Sequence, residues 1–172
     1  MNIKGKSSLL FFKLLIMIRT KTLLPIVLAG VLLIATVSCD KDDDKPLSNK
    51  YNITGSANGA QEVPAVTTSG TGTITAVYDA DNNKLDYTIN WTGLSGNVNN
   101  MHFHGPADPT ISAGVQIGIT GWPAAMAGSV TGTATLDATQ ETDLLAGKWY
   151  YNIHTTFKGS GEIRGNLTAV RQ

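Results

Sequence analysis

The chain has 172 residues and a mass of 18.2 kDa, a length that suits one domain and not two. Its 13 Lys and Arg balance its 13 Asp and Glu, but five of the basic residues and none of the acidic ones precede Cys39, so the part from Cys39 onward carries a charge of −5. That balance excludes the basic footprint of a nucleic-acid binder. The single cysteine excludes a disulfide scaffold and a cysteine-built zinc module.

Residues 1–39 read as a lipoprotein signal peptide. A basic stretch leads into the apolar run Leu23 to Val37, too short for an ordinary membrane span of about 20 residues, and small residues follow up to Cys39. A permanent anchor helix is the alternative. Thr36-Val37-Ser38-Cys39 resembles a bacterial lipobox, with Thr36 where that motif usually has Leu, and the resemblance implies lipidation of Cys39 and attachment to a membrane. Met17, followed by Ile18-Arg19-Thr20-Lys21, would serve as a compact start, leaving the first 16 residues as a start-site extension. Residues 40–50 begin Asp-Lys-Asp-Asp-Asp-Lys and are too polar to bury a core, so they read as an acidic tether. An acidic run behind a lipid cysteine is similar to the surface-export signal of some bacterial lipoproteins, and a plain periplasmic spacer is the alternative. In either case the expected location is the cell envelope, with the folded part outside the cytoplasm.

From residue 51 to 172 the pattern is all-β. Short runs rich in Thr, Val, Ile and aromatic residues alternate with Gly, Asn, Asp and Pro. Thr71 to Tyr78 and Lys84 to Thr92 flank Asp79-Ala80-Asp81-Asn82-Asn83 and predict an antiparallel hairpin; in the second run Leu85, Tyr87, Ile89 and Trp91 alternate with polar residues, which marks one buried face. Further strands are expected near 51–55, 98–104, 115–119, 129–136, 148–154 and 161–169, and a helical turn over Ala138 to Leu145. About eight antiparallel strands predict an immunoglobulin-like or Greek-key β-sandwich or barrel.

The chemical signal is histidine. His102 and His104 share one face of a strand while Met101 and Phe103 point the other way; Asn152 and His154 likewise oppose Tyr151 and Ile153, and Glu162 and Arg164 oppose Ile163. A His-x-His pair with a third imidazole from another strand is a three-nitrogen set that copper or zinc accepts. The alternative is that the imidazoles hydrogen-bond to the backbone, Asn152 or Glu162 and only tie strands together. Glu62, in a loop before Pro64, is a further candidate binding residue; Trp122 reads as a cap on the end of the sandwich, and an exposed contact for a glycan or protein is the alternative. No Gly-x-Ser-x-Gly elbow is present, and no catalytic residue is assigned.

The motifs Gln61-Glu62-Val63-Pro64, Trp91-Thr92-Gly93-Leu94, His102-Phe103-His104-Gly105-Pro106-Ala107, Gly147-Lys148-Trp149-Tyr150-Tyr151-Asn152-Ile153-His154-Thr155 and Gly161-Glu162-Ile163-Arg164-Gly165 follow one another in an order that resembles the CHRD domain. The resemblance covers about residues 51–170 and implies a β-sandwich or barrel of secreted or surface proteins. Where that family usually has a proline before Gly-Glu-Ile-Arg-Gly, this chain has Thr156 to Ser160. His102-Phe103-His104-Gly105 is also similar to the copper segment of Cu/Zn superoxide dismutase, an enzyme that needs more histidines and a disulfide. The expected function is therefore a lipid-anchored, non-enzymatic binding or structural module with a protein or glycan partner at the cell surface; the alternative is a copper or zinc protein using His102, His104 and His154.

Overall fold

The computed structural model describes residues 47–172. The segment read as a signal peptide, Cys39 and most of the expected tether lie outside the described residues. Ser48 and Asn49, which the sequence assigns to the tether, are fastened to the domain, because Arg171 donates from Nε to the Ser48 carbonyl at 2.6 Å and from Nη2 to Asn49 Oδ1 at 3.0 Å.

The domain is built from nine strands. They are β1 (Lys50–Asn58), β2 (Thr71–Asp79), β3 (Lys84–Thr92), β4 (Val98–His104), β5 (Val115–Gly118), β6 (Gly128–Thr135), β7 (Tyr150–Thr155), β8 (Ile163–Asn166) and β9 (Thr168–Arg171), with one helix, α1 (Ala138–Leu145). All pairings are antiparallel, in the order β5-β4-β7-β8-β1-β2-β3-β6, and the sheet curls into a nearly closed barrel. The hairpin of β2 and β3 turns through Asn83, whose φ of 55° uses the left-handed backbone that Asn tolerates. The segment expected as a single strand over 161–169 divides at Leu167. There the Leu167 N–H donates to the Trp149 carbonyl and its side chain turns into the core, so that β8 follows β7 while β9 runs along the start of β1.

The inward faces of all these strands meet in one core. Ile53, Ile74, Tyr78, Leu85, Ile89, Met101, Phe103, Tyr151, Ile153 and Ile163 are fully buried, and Tyr87 of β3 meets Phe103 of β4 edge-on at 5.1 Å, joining distant strands across the barrel. At the end of the hairpin turn α1 is started by a capping box in which Asp137 accepts from the Thr139 and Gln140 amides and the Gln140 side chain accepts from Asp137 N–H; Leu144 seals the core. Trp122 is half-buried, donating to the Ile119 carbonyl at 2.9 Å and packing against the core, so it closes a barrel mouth and is no exposed platform. The described residues thus form a unit with its own hydrophobic core.

Candidate metal centre

Strand alternation sends the even-numbered residues of β7, of β8 and of β4 from Asn100 onward to the outside of the barrel, whereas Val98, before an irregularity in the register, lies in the core. Register then sets them in rows: His102 beside Asn152 beside Arg164, running on to Asn58 of β1, with His104, Tyr150 and Asn166 in the next row and Asn100 beside His154 on the other side. This outer face is not left to water. Loop residues 59–69 and 105–114 fold over it, which buries His104, Asn152, Arg164 and Glu62 although they lie outside the core.

Side chains on this face meet along diagonals, where long and aromatic groups reach each other. His102 Nδ1 lies 3.2 Å from His154 Nε2, and His104 Nε2 lies 3.0 Å from Asn152 Oδ1. Arg164 covers the Tyr150 ring at 3.5 Å, and Tyr150 stacks on His104, its direct cross-strand neighbour, with centroids 4.7 Å apart and planes 2° from parallel. The three histidines offer ligand atoms that lie within 4.8 Å of one another.

Carbonyl oxygens only accept, so they fix what the rings present. His154 Nδ1 donates to the Gly159 carbonyl at 2.9 Å, and His104 Nδ1 to the Ala113 carbonyl at 2.9 Å. Both rings therefore turn Nε2 toward the cluster, the orientation that backbone partners impose on metal-binding imidazoles. Burial depresses the pKa of His102, and the neighbouring charges of His154 and His104 add to this; burial depresses that of His154 as well, against the opposing Gly159 bond. Both effects favour neutral imidazole, the form that binds metal.

The acidic and basic residues of the face take different places. Glu62 comes in from the loop and reaches Asn152 and the field of Arg164, and burial raises its pKa above the usual carboxylate value despite both. Its Oε1 is buried with no hydrogen-bond partner. Gly161, at φ 116°, makes room for it, since a Cβ there would stand 2.5 Å from Glu62 Oε1 and 2.9 Å from Asn152 Nδ2. Arg164 donates to the Ile111 and Asp108 carbonyls and to Asn166, and thereby clamps the 105–114 loop. Glu162 lies two residues from Arg164 yet makes no ion pair with it. It stands at the barrel end and accepts from Thr68 Oγ1 at 2.6 Å, Ser95 N–H at 2.7 Å and Thr155 Oγ1 at 2.6 Å. Burial works to raise its pKa, and the bonds from Thr155, Thr68 and Ser95 outweigh it, so the net shift is downward.

His102, His104, His154 and Asn152 are thus brought together, Glu62 and Arg164 stand behind them, and Glu162, away from them, ties two loops to β7. Tyr150 was not singled out in the sequence, although its parity with Asn152 placed it on the same face. The Ala113 and Gly159 carbonyls had no side-chain signal at all.

An all-antiparallel, nearly closed barrel with loops folded over a polar outer sheet defines the class. The chain matches the model of the CHRD domain over residues 53–167 and belongs to that family. No curated protein and no solved structure matches it.

Proposed function

We propose that this CHRD domain is a non-enzymatic binding module of the cell envelope, carried on a membrane through lipidated Cys39, and that its ligand is a copper or zinc ion held by His102, His104 and His154. The observation that carries the reading is the pairing of three converging imidazoles with backbone carbonyls that fix two of them. The separation of 3.2 Å between His102 Nδ1 and His154 Nε2 is also close to the ligand-to-ligand edge of about 3.3 Å in a tetrahedral site with bonds of about 2.0 Å. All three donors are imidazole nitrogen, which suits copper and zinc and not calcium or magnesium. A surface protein or glycan partner would dock beside the ion.

Elemental analysis and copper and zinc titration of untagged residues 47–172 test the reading. About one equivalent of metal is expected, lost in His102→Ala and His154→Ala with the fold retained. Absence of binding in the parent protein would overturn it and leave the histidines as strand-linking hydrogen-bonders. Loss of membrane association in Cys39→Ser, with the chain otherwise intact, tests the anchor.

A further inference from the structure

Asn152 is placed beside all three histidines. It stands directly opposite His102 across β4 and β7, two residues before His154 on its own strand, and diagonal to His104, whose Nε2 lies 3.0 Å from its Oδ1. That last contact is short of a proton. A neutral imidazole carries one N–H, yet His104 faces an oxygen with each ring nitrogen, the Ala113 carbonyl with Nδ1 and the Asn152 amide oxygen with Nε2. With the Nδ1–H given to Ala113, Nε2 and Oδ1 are two acceptors turned toward each other with no hydrogen between them.

Turning the Asn152 amide over does not remove the conflict. Its Nδ2 lies on the side of Glu62, since a Cβ added at Gly161 would stand 2.9 Å from Nδ2 and 2.5 Å from Glu62 Oε1, an oxygen that is buried with no hydrogen-bond partner. The reversed amide would bring its own oxygen toward that carboxylate instead. Two acceptors converging on one point suit a cation. Their separation of 3.0 Å, like the 3.2 Å between His102 Nδ1 and His154 Nε2, is close to the edge of about 3.3 Å in a tetrahedron with bonds of about 2.0 Å. We infer that Asn152 Oδ1 is the fourth ligand of the ion, which then has three imidazole nitrogens and one amide oxygen. This inference rests on the metal reading above and deepens it. A catalytic zinc site keeps one position for water, whereas four protein ligands close the coordination, as a site that holds its ion without turning over substrate requires.

Affinity alone does not separate a ligand from a support, because loss of a partner that merely orients a ligand also weakens metal binding, typically by about 10- to 100-fold. Access to the ion does separate them. With cobalt(II) as the probe, residues 47–172 are expected to show the intense visible absorption of a four-coordinate ion, unchanged when azide is added. Asn152→Ala is expected to bind cobalt(II) at least about tenfold more weakly and to take up azide with a new charge-transfer band, because water replaces the amide oxygen. Asn152→Asp, which offers a charged oxygen at the same place, is expected to bind more tightly than the parent and to exclude azide; it stands in if Asn152→Ala does not fold. Azide uptake by the parent, weaker binding by Asn152→Ala without azide uptake, or no gain in affinity in folded Asn152→Asp would overturn the fourth ligand and leave the three histidines standing. No metal bound by the parent would overturn the site and its fourth ligand together.

Discussion

Single side chains on the outer face give the domain opposing responses to pH. His102 and His154 titrate lower in the folded chain than free imidazole, near 6.5. The unfolded chain therefore binds more protons between the two values, and stability is present above pH of about 6.5 and lost as pH falls through the folded values. Glu62 has the reverse sign. Its folded pKa lies above the ordinary glutamate value of 4.5, so its contribution is present below that value and lost as pH rises through the folded one. Glu62→Gln is therefore expected to raise the melting temperature of the metal-free domain at pH 7 and to match the parent near pH 4. Thermal melts across that range in chelator check this, and a lower melting temperature at pH 7 would mean that Arg164 and Asn152 fully compensate the buried carboxylate. Which face each histidine takes was legible in the sequence, because period-2 alternation around Met101, Phe103, Tyr151 and Ile153 decides it. The burial of Glu62 was not, since it depends on contacts between loop and strand some ninety positions apart that no local pattern encodes.

Elements, in turn, are tied by the one carboxylate that does not join the histidines. Glu162 stands just before β8, where it joins β7 through Thr155 to the two loops that carry Thr68 and Ser95. Glu162→Ala leaves the Ser95 N–H without its acceptor, at an expected cost of at least about 2 kcal/mol. Hydrogen exchange is expected to show that amide deprotected before those of β2 and β3; uniform loss of protection would mean instead that the staple is part of the global barrier to unfolding. The sequence placed Glu162 and Arg164 on one face, which the parity of a strand requires, but parity says nothing about where a strand begins. With β8 starting at Ile163, Glu162 belongs to the barrel end and Arg164 to the sheet. The same limit applies at Leu167, where apolar character continued the predicted strand while an inward turn of the backbone divided it. By contrast, the β2–β3 hairpin was fully legible, because its turn chemistry and its alternation agree.

At the scale of the whole molecule, closure depends on contacts between strands far apart in the sheet order. Phe103 packs on Tyr87 and on Trp149 in the fully buried interior. Phe103→Ala is expected to destabilise the domain by about 3–5 kcal/mol, read from the midpoint of a urea transition with its slope unchanged. A lower slope would show that the barrel opens in the native state when that contact is lost. The composition announced an all-β domain, yet sandwich and barrel share the same strand patterns and differ only in how far the sheet curls. The clip that Arg171 places on Ser48 and Asn49 has a directional meaning. It fixes the chain's entry at the end of the barrel that carries the Asp79 to Asn83 turn, whereas the row of His102, Asn152 and Arg164 runs into Asn58 at the other end of β1, about 27 Å along the strand. Whatever grips the chain upstream of Ser48 therefore holds the domain by its base, and the histidines look outward like the lamp on a post.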